Sequence, residues 1–180
     1  MARYGAFLRG INLGRNRRIA AGDLRAVFEQ AGLENVETFR TSGNVVFDGR
    51  GAAAALKARI EQGLADATGH DVPVFLRGER DLRAIAELCP FAPRHVEASQ
   101  GKLQVLLLPA RPTPAARKQV TALATDEDRL AFGDRELYWL PSGGMREAAI
   151  DLRAIERLVG PTTMRTKGTM DQLAAKLFAG

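Results

Sequence analysis

The apolar residues of the first 78 positions alternate between the spacing typical of strands and the spacing typical of helices. Residues 4–11 form a short apolar stretch that leads into a polar, glycine-containing loop, which predicts a first strand. Two β-prone segments, residues 36–40 and 44–48, flank a turn-forming centre and predict a hairpin. A helix is predicted before this hairpin, because apolar residues recur three, four and seven positions apart, at Leu24, Val27, Phe28 and Ala31.

A second helix and a fourth strand complete the pattern of this first part. Leu56, Ile60 and Leu64 recur at helical spacing, and apolar residues then alternate from Val72 to Leu76. Residues 1–78 therefore have the order strand, helix, strand, strand, helix, strand. This order is the split βαβ arrangement of ferredoxin-like domains, in which an antiparallel sheet carries two helices on one face.

The second half of the chain partly repeats that order. A helix is predicted over residues 79–89, with Leu82, Ile85 and Leu88 facing inward, and the prolines that follow end it. We then expect a strand, a helix, a hairpin and another helix, over residues 102–108, 113–123, 129–140 and 151–159. The fold class predicted is therefore α+β, with two ferredoxin-like subdomains over residues 1–78 and 79–180.

Three helices of the second half carry recognisable signals at their N-termini. Thr113, which precedes a proline, and Asp151 are predicted N-caps. The last helix is predicted to begin at Thr169, with Gln172 completing a capping box. Its apolar stripe predicts a C-terminal helix docked on the core, through Met170, Leu173, Ala174 and Leu177.

The composition is typical of an ordinary soluble globular protein. Of the 180 residues, 46% are hydrophobic and 26% are charged. Apolar runs such as residues 105–108 are far shorter than the roughly 20 residues needed to span a bilayer, and the N-terminus lacks the pattern of a signal peptide, so we expect a cytoplasmic protein. One cysteine and two histidines exclude an internal disulfide framework and a Cys/His zinc cluster. We expect neither a cofactor nor a metal.

The charge of the chain favours anionic partners. The formal net charge is +5, which suits nucleic acid or a phosphorylated metabolite. Five arginines precede the first acidic residue, at positions 3, 9, 15, 17 and 18. Such a basic segment is also common as a solvated loop without a ligand.

Two polar motifs are expected to meet at one edge of the first sheet. In a ferredoxin-like sheet the third strand lies antiparallel to the first, so the end of the first strand meets the start of the third. Guanidinium groups, an amide, a hydroxyl and glycine-flanked N–H groups are what an anion pocket uses. The predicted ligand-binding residues at this edge are Arg9, Gly10, Asn12, Arg15, Arg40, Ser42, Gly43 and Asn44. In the alternative interpretation, residues 42–44 are only a hairpin turn and Asn12 only ends a strand.

Other candidate motifs are weaker. RNA-recognition modules of this topology stack bases on aromatic residues of the central strands, but here Arg9 stands where an aromatic belongs, so nucleic-acid binding would use phosphates. Residues 141–144 suit a phosphate-binding turn yet match no known nucleotide motif. His70, His95 and Cys89 lack partners in sequence that would make them catalytic, and His95 is expected in a loop.

These motifs resemble those of the domain-of-unknown-function 1697 family of uncharacterised bacterial proteins. The similar stretches are residues 9–14, 23–25, 41–47 and 162–165, together with Thr169 and Leu173. The resemblance extends over essentially the whole chain and implies paired ferredoxin-like subdomains, but no reaction. It adds Arg165 to the predicted ligand-binding residues. Two departures affect that end of the chain: Thr166-Lys167 follows Arg165 where Asn-Trp is usual, and Glu147-Ala148 replaces a Ser-Lys pair.

Three functions stay open on the sequence alone. The first is a binding module for an anionic ligand, either nucleic acid or a phosphorylated metabolite, at the sheet edge. The second is an enzyme acting on a small phosphorylated or acylated substrate, with Arg9 and Arg40 stabilising charge, although no catalytic base is evident. The third is a protein–protein interaction module. The oligomeric state is not predicted.

Overall fold

The structure, a computed structural model, describes residues 1–11, 19–40, 43–143 and 150–178. It divides into two compact units, Met1–Arg83 with Leu173–Gly180, and Ala84–Gln172. The predicted subdomain limits, 1–78 and 79–180, stay a prediction. Among the described residues, no helix has the length and apolar character needed to cross a membrane.

The first unit has the predicted split βαβ topology. Its sheet has the strand order β2-β3-β1-β4, and every pairing is antiparallel. Its elements are β1 (Ala2–Leu8), α1 (Ala21–Gln30), β2 (Glu34–Phe39), β3 (Asn44–Gly49), α2 (Ala53–Thr68) and β4 (Val74–Gly78), followed by the start of α3 (Glu79–Glu87). The helical spacing read from the sequence is confirmed, since Leu24, Phe28, Leu56, Ile60 and Leu64 are all buried.

One face of this sheet holds the main core of the unit. The apolar stripes of α1 and α2 pack in one cluster with Ala6, Leu8, Val45 and Phe47. The ring of Phe47 lies at the centre: Tyr4 stacks on it at 5.6 Å between centroids, and Phe28 meets it edge-on at 5.5 Å. Aromatic pairs in these geometries add to the free energy gained by burying their area.

The opposite face of the sheet is also covered, and Gly5 allows the close approach. A Cβ atom at Gly5 would lie 3.1 Å from Cδ1 of Leu82 and 3.3 Å from Cδ2 of Leu173. Leu82 belongs to α3 and Leu173 to α7 (Lys167–Phe178). The predicted burial of the C-terminal stripe is confirmed, because its four residues are at most 7% exposed.

The second unit repeats the topology. Its sheet has the order β6-β7-β5-β8, again entirely antiparallel. Its remaining elements are α4 (Pro93–Ala98), β5 (Gln104–Leu107), α5 (Pro114–Thr121), β6 (Asp128–Phe132), β7 (Glu136–Pro141), α6 (Leu152–Val159) and β8 (Thr163–Thr166). The predicted caps are confirmed: the Thr113 hydroxyl accepts from Ala116 N at 3.1 Å, and the Asp151 carboxylate accepts from Ala154 N at 3.0 Å.

The second core is organised around Trp139. This side chain is 1% exposed and packs with Leu106, Leu137 and Ile155. Its indole N–H donates to Oδ1 of the buried Asp128 at 2.7 Å, so the polar end of the ring is satisfied inside the core.

Three sequence predictions about the second half are wrong. Leu88 is 36% exposed, because α3 ends at Glu87. Residues 93–98 form α4, which places His95 on a helix; Pro93 occupies the first turn, where its missing N–H costs nothing. The last helix begins at Lys167, and its cap is Thr166, whose hydroxyl accepts from Thr169 N at 3.2 Å. The proposed capping box therefore does not form.

We predict that Leu173→Ala destabilises the protein by about 2 to 5 kcal/mol, the usual loss for a fully buried leucine. Leu88→Ala, at a position of the same residue type that is 36% exposed, should change stability by less than about 0.5 kcal/mol. Urea unfolding followed by circular dichroism measures both values. Equal midpoints for the two variants would contradict the docking of the C-terminal helix against β1.

Candidate functional site

The C-terminal end of β1 lies beside the N-terminal ends of β3 and β4. This end of the first sheet is the edge at which the ligand site is predicted. Phe7 of β1 is opposite Asn44 of β3, and Leu8 N donates to Gly43 O at 2.8 Å. One residue further along, Arg9 N donates to Pro73 O, just before β4, at 2.9 Å. The main chain of residues 8–9 is thus held on both sides, which places Arg9 and Gly10 beside the turn that precedes β3.

The two glycines of this edge have different reasons for being glycine. Both have left-handed backbones, with φ of 72° at Gly10 and 70° at Gly43. A Cβ atom at Gly43 would lie 2.9 Å from Cγ2 of Ile11 and 3.2 Å from Cβ of Leu8, so the buried chain leaves no space there. At Gly10, by contrast, no described residue lies within 4 Å of the Cβ position. Among the described residues, the main chain is therefore less crowded at Gly10 than at Gly43.

Asn44 supports the edge from inside. Its side chain is fully buried, and Nδ2 donates to the carbonyl oxygen of Phe39 at 3.2 Å. This contact joins the end of β2 to the start of β3 across the turn. A contact between Asn44 and a ligand stays a prediction.

Arg40 lies in the same turn and is exposed. Its φ of 57° is in the left-handed region, which few residues other than glycine adopt. Its guanidinium carbon is 5.8 Å from the centre of the Phe39 ring, and Nζ of Lys176 is 6.0 Å from that same centre. Two cations therefore contact one aromatic ring beside the edge.

Sequence reasoning missed Lys176, because it lies on α7, far along the chain. Its ammonium group is 2.6 Å from Oε2 of Glu37. The hydrogen bond and the positive charge of Lys176 lower the pKa of Glu37 below its ordinary value. This exposed pair connects the end of α7 with β2 and contributes little to stability.

Arg3, a member of the basic N-terminal segment, does not reach this edge. It is opposite Asp48 at the other end of β1, and its guanidinium lies 3.7 Å from that carboxylate and 3.6 Å from Glu37. Its charge is largely compensated by these two acids.

Of the four remaining predicted residues, three lie outside the described residues and one belongs to the second unit. Asn12, Arg15 and Ser42 lie outside the described residues. Arg165 is on β8 of the second unit, where Nη1 donates to Thr163 Oγ1 at 2.9 Å and to Met164 O at 2.8 Å. Burial lowers the pKa of Arg165 to about 10. Its role in ligand binding stays a prediction.

The edge carries residue types that bind anions in other proteins. Arg9 and Arg40 have guanidinium groups and Gly10 has a left-handed main chain, and proteins use such groups to hold phosphate and carboxylate oxygens. Throughout the described part of the chain, no group of three or more His, Cys, Asp or Glu residues is arranged to hold a metal ion.

We predict that Gly43→Ala lowers the free energy of unfolding by about 2 to 4 kcal/mol, because it adds a left-handed backbone penalty to a clash with Ile11. Gly10→Ala carries the backbone penalty alone and should cost about 1 to 2 kcal/mol. Chemical denaturation measures the difference. If Gly10→Ala is the more damaging variant, the enclosed position of Gly43 is not what requires glycine.

Known proteins share the fold and the sequence pattern of this chain. No curated protein matches it. A conserved bacterial protein, SP0830 from Streptococcus pneumoniae, has a similar solved structure, with 21% sequence identity, a TM-score of 0.75 and coverage of 98% of each chain. This likeness shows a common fold. The family model described as "Protein of unknown function (DUF1697)" matches residues 1–138, which include the motifs around Arg9 and Gly43 but not the C-terminal stretch at Arg165. Since the matched part is more than half of the sequence, the chain belongs to the DUF1697 family.

Proposed function

We propose that the protein is a binding module for an anionic ligand, nucleic acid or a phosphorylated metabolite, at the edge of the first sheet. The described residues that carry the proposal are Arg9, Gly10, Arg40 and Gly43; Asn12, Arg15 and Ser42 are the other predicted contacts. The single observation that supports it most is the main-chain hydrogen bond from Leu8 N to Gly43 O. It joins two separate sequence motifs, one at the end of β1 and the other at the start of β3.

The donors at this edge suit phosphate oxygens. A guanidinium group presents several N–H donors in a plane, which matches the spacing of two phosphate oxygens. The left-handed residues at Gly10 and Arg40 turn the main chain sharply at the ends of β1 and β2. Because the space at Gly10 is open among the described residues, a ligand there can also reach main-chain donors.

The central strands favour contacts with phosphates over stacking with bases. Phe7 of β1 and Phe47 of β3 are fully buried, and Tyr4 is partly buried against Phe47. RNA-recognition modules need exposed aromatic rings at the middle of such a sheet. We therefore expect binding with weak sequence preference and strong dependence on salt.

We predict that Arg40→Gln and Arg9→Gln each weaken binding several-fold to one of two probes, a fluorescent single-stranded DNA oligonucleotide or inorganic pyrophosphate. For the oligonucleotide, each lost phosphate contact should reduce the slope of log affinity against log salt by about 0.7. Fluorescence anisotropy for the oligonucleotide and calorimetry for pyrophosphate, both begun at low salt, supply the affinities.

Arg50→Gln is the matched control. Arg50 is exposed and follows the opposite end of β3. Its substitution by glutamine removes the same charge as the other two substitutions. Its substitution should leave binding nearly unchanged. Equal losses for Arg40→Gln and Arg50→Gln would mean diffuse attraction to a basic surface, and the absence of binding to both probes at low salt would rule out the proposal.

A further inference from the structure

The second unit contains a cleft that the sheet edge does not use. Its larger part is open to solvent and has a volume of about 320 Å³. The wall combines apolar and polar groups and is formed by Pro90, Phe91, Ala92, Ala124, Thr125 and Leu130, together with His95 and Arg129. Small-molecule sites combine apolar side chains with a few polar groups that fix the orientation of the ligand.

A smaller depression, lined by two acidic side chains, adjoins it. This depression has a volume of about 120 Å³ and is also lined by His95 and Arg129. Asp126 and Glu127 line this part and not the larger one, together with Ser99 and Ser142. His95 and Arg129 are therefore the two polar side chains that border both parts of the cleft.

The side chains of His95 and Arg129 are half-buried, and neither forms a hydrogen bond or an ion pair with any residue in the described part of the chain. Two other arginines of this unit do have partners: Arg117 donates to Gly133 O at 2.7 Å, and Arg111 pairs with Asp134 at 2.6 Å. A half-buried guanidinium without a partner, beside apolar side chains, is a place where an anion is stabilised.

The pKa of His95 depends on its burial and on two neighbouring arginines. Partial burial lowers the pKa of His95, and the charges of Arg129 and then Arg94 lower it further. An anion bound between these groups would offset that repulsion and raise the pKa of the imidazole again. The carboxylates of Asp126 and Glu127, in the adjoining depression, favour a single negative charge over a double one.

We propose that this cleft binds a small carboxylic acid with a compact apolar body. The carboxylate pairs with Arg129 and His95, and the apolar body lies against Phe91 and Leu130. The site lies wholly within residues 84–172, so the proposal stands or falls independently of the anion site at the edge of the first sheet.

The test compares four probes of stated charge and size. Benzoate is the monoanion with an apolar ring, benzamide its neutral analogue, phenyl phosphate a dianion, and acetate a carboxylate without an apolar body. Benzoate should bind at least about tenfold more tightly than benzamide, the ratio expected for a charge-assisted hydrogen bond. The affinity for benzoate should also exceed the affinities for phenyl phosphate and acetate.

The two histidines provide a direct readout, because the chain has only His70 and His95. Proton NMR of the two imidazole Cε1–H signals follows each probe, and the His95→Gln variant assigns them. Saturating benzoate should raise the pKa of His95 and leave the signal of His70, which lies in the first unit, unperturbed. Binding should accordingly strengthen as the pH falls through the pKa of His95.

Two charge-matched variants separate the site from general attraction. Arg129→Gln should weaken benzoate about tenfold and leave benzamide unaffected. Arg153→Gln removes the same charge from an exposed position of α6 that does not line the cleft, so benzoate affinity should stay the same. Near-ultraviolet circular dichroism of Trp139, the single tryptophan, verifies that each variant is folded.

Three results would overturn the proposal. The first is no effect of millimolar benzoate on the His95 signal. The second is equal affinity for benzoate and benzamide, or tighter binding of phenyl phosphate than of benzoate. Either result would mean that the cleft does not select a carboxylate. The third is an equal effect of Arg129→Gln and Arg153→Gln on benzoate in folded proteins.

Discussion

The first unit depends on the burial of β1 on all sides. This strand pairs with β3 along one edge and with β4 along the other, so its main-chain donors and acceptors are used in both directions. One face contacts the core formed by α1 and α2, and the other is approached by Leu82 and Leu173 at the position of Gly5. A strand held in this way cannot shift along its neighbours without exposing Ala6, Phe7 and Leu8.

The candidate anion site is a consequence of where β1 ends. Since the register with β3 is fixed over six residue pairs, the residue after Leu8 must emerge beside Gly43. The enclosed position of Gly43 and the buried amide of Asn44 maintain this turn from inside. Arg9 and Gly10, which are half-buried, and Arg40, which is exposed, lie at the same edge. The polar residues of the two motifs thus divide into buried ones, which build the turn, and more exposed ones.

The distribution of paired and unpaired cations matters more than the net charge. Arg3 and Lys176 are compensated by Glu37 and Asp48, although both belong to a chain with an excess of positive charge. Arg129, with no such partner among the described residues, lies at a cleft in the second unit beside apolar side chains. Exposed ion pairs contribute little to stability, but they decide which cations are left to attract an anion.

The sequence by itself determined the order of elements in the first unit and most of that order in the second, because the apolar spacing of each helix and strand is a local property. It also determined which two motifs meet at the edge of the first sheet, since that follows from the split βαβ order. The tertiary structure alone decided the strand β8, which is polar and short and exists through its pairing with β5, some 60 positions earlier in the chain. That pairing makes Thr166, and not Thr169, the cap of the last helix.

The contacts of Lys176 and the cleft beside Arg129 likewise could not be predicted from the sequence. Lys176 reaches Phe39 and Glu37 only when α7 packs beside β2, and the cleft joins the segment before α4 to the segment before β6. No periodicity relates such residues, because side chains that are distant in sequence are brought together by the burial of other residues. The sequence therefore determined the elements and their order, whereas only packing decided which cations are paired and where a cleft is left open.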